Sequence, residues 1–266
     1  FSYCFALLIL QTGNSVLTTK FVLKICICQT FCSIKIKVFP VYKTFLAVPL
    51  NFTVYRKFWR IVWKWKQQLL EKKECVIFSR ESHNVKSYNH THYQIDVSEG
   101  EFPDIEDISA IIYCPGTINL KPFRSLKIED FQHDFNINFL GAVKVIQHYQ
   151  KALSKSPDAS IVLFSTVAVK QGMIFHASIA SAKGAVEGLT KSLAAEFAGK
   201  ISVNCIAPTL TNTPLAQGLL RNEDAIKRSN ERHPSKRINT ASDVAKTAEF
   251  LLQNNNITGQ IIHVDG

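Results

Sequence analysis

The sequence predicts an α/β fold: a mostly parallel sheet covered by helices on both faces, in a single domain that follows an anomalous N-terminal segment. Three observations predict it. Short apolar runs alternate with helix-periodic stretches from Glu71 onward, and alternation of that kind builds a parallel sheet with helices packed on each side. Each run is short and bounded by turn residues, as a buried strand requires. A chain of 266 residues with 46% hydrophobic content has enough apolar surface for one large core.

Cys75 to Phe78 is an apolar run that ends in Ser79-Arg80. Tyr93 to Val97 is a second strand, and Ile108 to Cys114 a third that stops at Pro115-Gly116. A helix is predicted from Ile128 to Leu153, where Phe131, Phe135, Phe139, Val143 and Ile146 recur at helical spacing. Ser160 to Phe164 reads as a buried strand. Ala177 to Phe197 is helical and rich in small residues. Ile201 to Ile206 is a strand that ends at Ala207-Pro208. Residues 215–232 read as an exposed helix. Ser242-Asp243 is expected to cap a helix through Leu252, and Gln260 to Val264 is the last strand. No repeat or low-complexity linker interrupts the series.

The formal charge of +10 is unevenly placed. Residues 1–70 hold ten Lys/Arg and no Asp or Glu; from Glu71 onward 21 Lys/Arg face 21 Asp/Glu. The basicity belongs to the first segment, so no nucleic-acid partner is expected for the domain. The domain organisation read from this is an anomalous basic and apolar segment over 1–70 and a folded domain over 71–266. Cys4, Cys26, Cys28 and Cys32 also lie in that segment. One residue separates Cys26 from Cys28 and no His precedes His83, which fits poorly with a zinc site. Cys75, Cys114 and Cys205 sit in strand-like runs, as buried thiols of a reducing compartment would, so a cytoplasmic location is expected. Phe1 to Leu10 is apolar but too short to span a bilayer, and Gln11, Asn14, Lys20 and Lys24 keep the run from extending. Neither a signal peptide nor a membrane partner is expected. Arg56 to Lys66 has the pattern of an amphipathic basic-aromatic helix. The chain opens on Phe1 without an initiator Met, as a fragment would.

Several motifs then appear in a fixed order. Ser178-Ile-Ala-Ser-Ala-Lys183-Gly-Ala-Val-Glu-Gly is followed by Ile201-Ser-Val-Asn-Cys-Ile-Ala-Pro208 and by Thr258-Gly-Gln-Ile-Ile-His-Val-Asp-Gly266. Phe135-Asn-Ile-Asn138-Phe-Leu-Gly141 precedes them. Together they resemble the short-chain dehydrogenase/reductase family over about residues 74–266. The resemblance implies a Rossmann doubly wound sheet with a nicotinamide dinucleotide outside the carboxyl ends of the strands. It implies an NAD(P)(H)-dependent oxidoreductase acting on a carbonyl, an alcohol or an activated double bond of a small molecule. It also implies a homo-oligomer.

Site residues carry over one by one. Lys183 resembles the family's catalytic lysine, which holds the nicotinamide ribose and lowers the pKa of a nearby acid by its charge. Asn138 resembles the asparagine that holds a water in a proton relay; it also suits a locally distorted helix. Thr166 stands where the family has a serine, and its hydroxyl can donate to a substrate oxygen. Ser165 should point to the opposite face of the strand. At Ile179 the pattern departs: the family's Tyr-x-x-x-Lys has Ile here, which has no proton to give. His176, seven residues before Lys183, has the Tyr-to-Lys spacing of the enoyl reductase branch and is a candidate acid. Ser178 is another. A loop histidine capping the helix start is the competing reading of His176.

On the cofactor side, Arg80 follows the second strand, where a guanidinium suits a 2′-phosphate and so NADP over NAD. Asp96 resembles the aspartate at the adenine edge. Gly116, after Cys114-Pro115 where the family has Asn-Ala, allows close backbone approach. Pro208 and Thr213 resemble the loop that meets the nicotinamide amide. The family's Thr-Gly-x-x-x-Gly-x-Gly phosphate loop is missing. Its expected place is Tyr55 to Val62, and Gly13 is the only glycine before Gly100. One allowed codon set for Tyr55 to Arg60 (TAC CGG AAA TTC TGG CGG), read one base later, encodes Thr-Gly-Asn-Ser-Gly followed by Gly. A shifted frame or mispredicted exon over 1–70 is therefore expected. The chain as written is expected to bind a dinucleotide weakly, or to serve as a catalytically impaired scaffold.

Overall fold

The structure is a computed structural model in which residues 6–10, 75–79, 90–97 and 99–266 are described. Arg80, the stretches 55–62 and 56–66, and Cys4, Cys26, Cys28 and Cys32 lie outside them. Among the described residues, seven strands form one sheet: β1 (Ala6–Leu10), β2 (Cys75–Ser79), β3 (His90–Gln94), β4 (Ala110–Tyr113), β5 (Ala159–Phe164), β6 (Ile201–Pro208) and β9 (Ile261–Val264). A separate two-residue ladder pairs β7 (Thr211–Asn212) with β8 (Asn239–Thr240). The main sheet runs in the order β3-β2-β1-β4-β5-β6-β9, the doubly wound arrangement with its reversal point between β1 and β4.

All pairings in the main sheet are parallel except those of β1, which runs antiparallel to both β2 and β4. Ala6 lies opposite Ser79 and Leu7 opposite Tyr113, while Leu10 lies opposite Cys75 and Ala110. The central strand therefore ends at the amino-terminal edge of its neighbours. Five residues of the anomalous segment thus contribute to the sheet, in the reverse sense to the expected parallel order.

The helices are α1 (Ile128–Phe135), α2 (Gly141–Leu153), α3 (Ala168–Gln171), α4 (Ala177–Glu196), α5 (Glu223–Arg232) and α6 (Ala241–Gln253). On one face of the sheet, Ile111, Tyr113, Ile161, Leu163, Val203 and Cys205 pack with α2 through Val145, Tyr149 and Leu153, and with α4 through Val186 and Ala194. On the other, Ala110, Ile112, Val162 and Ile206 pack with α6 through Val244, Ala248 and Leu251. The alternation of Ile111 and Ile112 between the two faces is the period-two pattern of a strand buried on both sides.

Three helices differ from their expected form. The helix expected over 128–153 contains a π turn, Asn136–Leu140. An inserted residue rotates the helix face, so the expected stripe of Phe131, Phe135, Phe139 and Val143 is only half-buried. Of that stripe only Ile146 is buried, and Ile137, Ala142, Val145 and Tyr149 join it in the core. The cap of α6 is Thr240 rather than Ser242-Asp243: the Thr240 hydroxyl accepts from the Asp243 amide at 3.3 Å, and the Asp243 carboxylate accepts from the Thr240 amide at 2.8 Å. The helix read over 215–232 forms only from Glu223, with Asn222 as its cap. Among the described residues, no helix is long and apolar enough to cross a membrane.

Candidate active site

Three segments converge at the carboxyl edge of β4. The strand ends at Tyr113, and Cys114-Pro115-Gly116-Thr117 passes under the π turn of Asn136–Leu140 and the first half of α4. Helix α4 buries Ser178, Ile179, Ala182, Lys183, Val186 and Thr190, a stripe at helical spacing. Gly116 is the meeting point. A Cβ added there would lie 3.2 Å from Asn138 Oδ1 and 3.5 Å from Lys183 Nζ. A side chain at 116 would therefore press on that oxygen and touch that ammonium, and glycine lets the backbone lie close to both.

Lys183 is only 8% exposed, and among the described residues its Nζ makes no hydrogen bond. Burial holds its pKa down to about 8, against a pull upward from Cys205, Cys114 and Asp134. Burial also pushes the Cys114 and Cys205 thiols up to about 12, so both are neutral at pH 7.

Asn138 is fully enclosed and held on both sides of its amide. Its Nδ2 donates to the Asp134 carbonyl at 2.7 Å and to Thr117 Oγ1 at 2.8 Å. Its Oδ1 accepts from the Thr117 amide at 3.3 Å. The Thr117 hydroxyl donates to Asp134 Oδ1 at 2.5 Å, and the Ser178 hydroxyl donates to Asp134 Oδ2 at 2.6 Å. Asp134 and Thr117 escaped the sequence reading. Asp134 stands four residues before Asn138, on the same helix face, and that i, i+4 spacing was the available signal. Ser178, a candidate acid, has its proton directed at Asp134.

The remaining candidates lie around this centre. Ser165 donates to Glu187 Oε1 at 2.5 Å, on the α4 side. Thr166, half-buried on the opposite side of the chain, accepts from the Ala168 amide at 3.3 Å. His176 is the cap residue of α4, and its Nδ1 lies 2.7 Å from the Ile174 carbonyl oxygen. A carbonyl only accepts, so Nδ1 carries a proton and Nε2 of the neutral ring has a lone pair. Nε2 has no partner among the described residues. Ile179 is 5% exposed and apolar. Asp96 ends the strand region after β3 and its carbonyl accepts from Glu99 and Gly100. Pro208 closes β6 opposite Val264, and its carbonyl accepts from Val167 at 3.3 Å. Thr213 opens a short 3-10 turn, its carbonyl accepting from Ala216 at 3.0 Å. Lys183, Asn138 and Gly116 are thus brought together directly. Thr166 and Pro208 share the neighbouring carboxyl edge through the Val167–Pro208 bond. No group of His, Cys, Asp or Glu among the described residues could hold a metal ion.

A nicotinamide dinucleotide fits this edge in part. The close backbone approach at Gly116 and the buried Lys183 ammonium, which makes no hydrogen bond among the described residues, suit its nicotinamide end. The pyrophosphate end is different. A phosphate cradle needs a turn leaving the central strand at the carboxyl edge of the sheet, whereas β1 ends at the other edge, beside Cys75 and Ala110.

The enoyl-(acyl carrier protein) reductase family model matches residues 84–266. A tropinone reductase homolog of Arabidopsis thaliana is 37% identical over 166 residues, which cover 60% of this chain and 62% of that protein. The L-xylulose reductase of Bos taurus is 31% identical over 151 residues, or 55% of this chain and 62% of that protein. The chain thus spans somewhat under two thirds of the length of these curated relatives. Among solved structures, ElxO with NADP bound superposes with a TM-score of 0.68 at 26% identity, over 78% of this chain and 92% of that one. ElxO with NADPH bound gives a TM-score of 0.62 at 28% identity, over 68% and 80%. Fold, strand order and the match over residues 84–266 agree: the chain belongs to the short-chain dehydrogenase/reductase family.

Proposed function

We propose that the protein is an NADP(H)-dependent oxidoreductase that reduces a carbonyl or an activated double bond of a small molecule, or oxidises the corresponding alcohol. The observation that carries this reading is the Lys183 ammonium, buried and without a hydrogen bond among the described residues, beside Gly116 and Asn138 at the carboxyl edge of β4. Bound NADPH would supply the hydride. Lys183 and Gly116 would hold the nicotinamide end, with Pro208 and Thr213 beside it. Asp96 would meet the adenine edge and Arg80 the 2′-phosphate. Thr166 would donate to the substrate oxygen as negative charge grows there. Asn138 would hold a water that links Lys183 to solvent. Ile179 holds no proton, so His176 would deliver the final one through Nε2, which is a donor when the ring is protonated. NADP over NAD is supported by the NADP and NADPH bound in the ElxO structures. The double-bond arm is supported by the description of the matching family model.

The folded domain is assigned to residues 71–266, with the preceding segment read in a shifted frame; a genomic and transcript sequence with one continuous frame and no unspliced intron would overturn that part. Self-association is supported by the exposed Ile128, at 69%, and Leu140, at 42%, with the half-buried Phe131 and Phe135 between them in the chain. A cytoplasmic location is supported by the free Cys114 and Cys205. The test is a spectrophotometric screen of NADPH oxidation against ketones, sugars and enoyl thioesters. Substrate-dependent oxidation is expected; none with any class would leave only a family scaffold.

A further inference from the structure

Phe175, the residue before the candidate acid, is left-handed, with a φ of 67°. That conformation crowds the Cβ of an L residue against the following carbonyl oxygen, and a bulky side chain seldom takes it. Gly172, three residues earlier, has the same sign at φ 68° without a Cβ to crowd. Phe175 is also 50% exposed, so packing of its ring does not account for the strain.

The turn that holds Phe175 does account for it. Met173-Ile174-Phe175-His176 is closed by the His176 amide, which donates to the Met173 carbonyl at 3.3 Å. Of the two central residues only Phe175 has a positive φ, the mark of a type II turn. Types I and II share the closing bond and differ by a flip of the central peptide. Here that peptide joins Ile174 to Phe175. In its flipped sense the Ile174 carbonyl accepts from His176 Nδ1 at 2.7 Å, and it has no other partner among the described residues. The unflipped turn would point the same oxygen to the opposite side. The Lys121 amide donates to the Phe175 carbonyl at 3.2 Å, which fixes the next peptide and not this one. We propose that Phe175 is a positioning residue: its left-handed conformation presents the Ile174 carbonyl to His176 Nδ1, keeps a proton there, and reserves Nε2 for exchange with substrate.

This rests on the functional reading that makes His176 the acid. In that reading Nε2 of the charged ring gives its proton to the reduced substrate, and the neutral ring left behind keeps its proton on Nδ1, already bonded to Ile174. Water then returns a proton to Nε2. A neutral ring with its proton on Nε2 could take up the next one only at Nδ1, on the side away from substrate.

The test needs no cofactor. The full chain is prepared with ¹⁵N-labelled histidine. The His176 ring signals, identified by their loss in His176→Gln, report which nitrogen holds the proton at a pH above the ordinary imidazole range. Wild type is expected to show a proton on Nδ1 and a bare Nε2. Phe175→Gly, which enters the left-handed turn freely, is expected to keep that pattern. Phe175→Pro fixes φ at about −65°. It removes no hydrogen bond, since the Phe175 amide donates to nothing among the described residues, and it is expected to lose the Nδ1–H signal. With a substrate in hand, Phe175→Pro should lower turnover toward that of His176→Gln and add no further loss in the double variant, whereas Phe175→Gly should hold its turnover. Wild type with the proton on Nε2, Phe175→Pro with the wild-type pattern, or Phe175→Gly without it would each overturn the proposal. If Phe175→Pro fails to fold, Phe175→Val takes its place, because a β-branched residue is ill suited to a left-handed turn. A weakened Nδ1–H signal is then expected, and an unchanged one overturns the proposal. No turnover in the NADPH screen, beside the expected ring pattern, would strike the oxidoreductase reading and leave the hold of this turn on His176 standing.

Discussion

The Tyr113 hydroxyl donates to the Ile137 carbonyl oxygen at 2.5 Å, joining the end of β4 to the π turn that carries Asn138. A π turn frees backbone groups from the regular helical ladder, and this bond satisfies one of them inside the core. Burial raises the Tyr113 pKa well above its usual value, so the hydroxyl remains a donor throughout the working pH range. Gly141 completes the arrangement: a Cβ there would collide with the Tyr113 hydroxyl.

Tyr113→Phe should therefore cost about 1–3 kcal/mol, because the Ile137 carbonyl is left buried and unpaired. Gly141→Ala should cost about 1–3 kcal/mol through overpacking. The double variant should cost less than the sum, since removing the hydroxyl removes the collision. Chemical denaturation of the four proteins checks this; strict additivity would contradict the shared cause.

The Lys183 ammonium gives stability a pH dependence of defined sign. Its folded pKa, about 8, lies below the unfolded value of 10.5. Between those pH values the unfolded chain binds more protons, so stability rises with pH across that window and the penalty is fully present below it. The penalty is on the order of 3 kcal/mol at neutral pH. Lys183→Met should unfold at higher denaturant than wild type at pH 7, with the difference shrinking as pH climbs from 8 toward 10.5. A wild-type curve flat over that window would contradict the burial of the amine.

Proton delivery separates two residues of one helix start. His176→Gln should lower turnover by about 10²-fold, the low end of general acid catalysis. Ile179→Tyr installs a phenol one turn before Lys183 and should raise ketone turnover by about 10²-fold or more, at a packing cost of about 1–3 kcal/mol. A folded Ile179→Tyr protein with unchanged turnover would show that the acid at this position does not limit the reaction. Thr166→Val should cost about 10²-fold, and Thr166→Ser little, if the hydroxyl meets the growing negative charge.

Much of this was legible in the chain. Beyond residue 100 the strands and helices fall within a few residues of their predicted places, apart from the helix read from 215 that begins at Glu223, because period-two and helical apolar patterns are local signals. Lys183, Asn138 and Gly116 were legible from motif order, and the structure brings them to one point. The reversed β1 was not legible. A run of five apolar residues has no direction until it finds neighbours, and its partners lie some seventy to a hundred residues away. Asn138 pointed to a local distortion, and the π turn Asn136–Leu140 lies there, but the apolar spacing did not show which residues the turn would carry into the core. Asp134 was missed because a lone acid on a helix reads as solvated, and its hydroxyl partners, Thr117 and Ser178, come from distant segments. Thr240 lost out to Ser242-Asp243 as a cap because its role depends on the β8 ladder that precedes the helix.

The reversed β1 also bears on affinity. Among the described residues, no glycine turn leaves the central strand at the carboxyl edge to offer its backbone amides to a pyrophosphate. Wild-type chain should bind NADPH more weakly than about 1 μM, roughly 8 kcal/mol of binding free energy.

The most direct measurement is a fluorescence titration of NADPH into wild type and Lys183→Met, paired with turnover on any substrate found by screening. The wild type is expected to bind and to oxidise NADPH, and Lys183→Met to lose at least about 100-fold in kcat/KM, or ~2.7 kcal/mol of transition-state stabilisation. Equal binding and turnover in the two proteins would mean that the amine at 183 stands away from the reacting ring, and the assignment of this edge as the active site would fall.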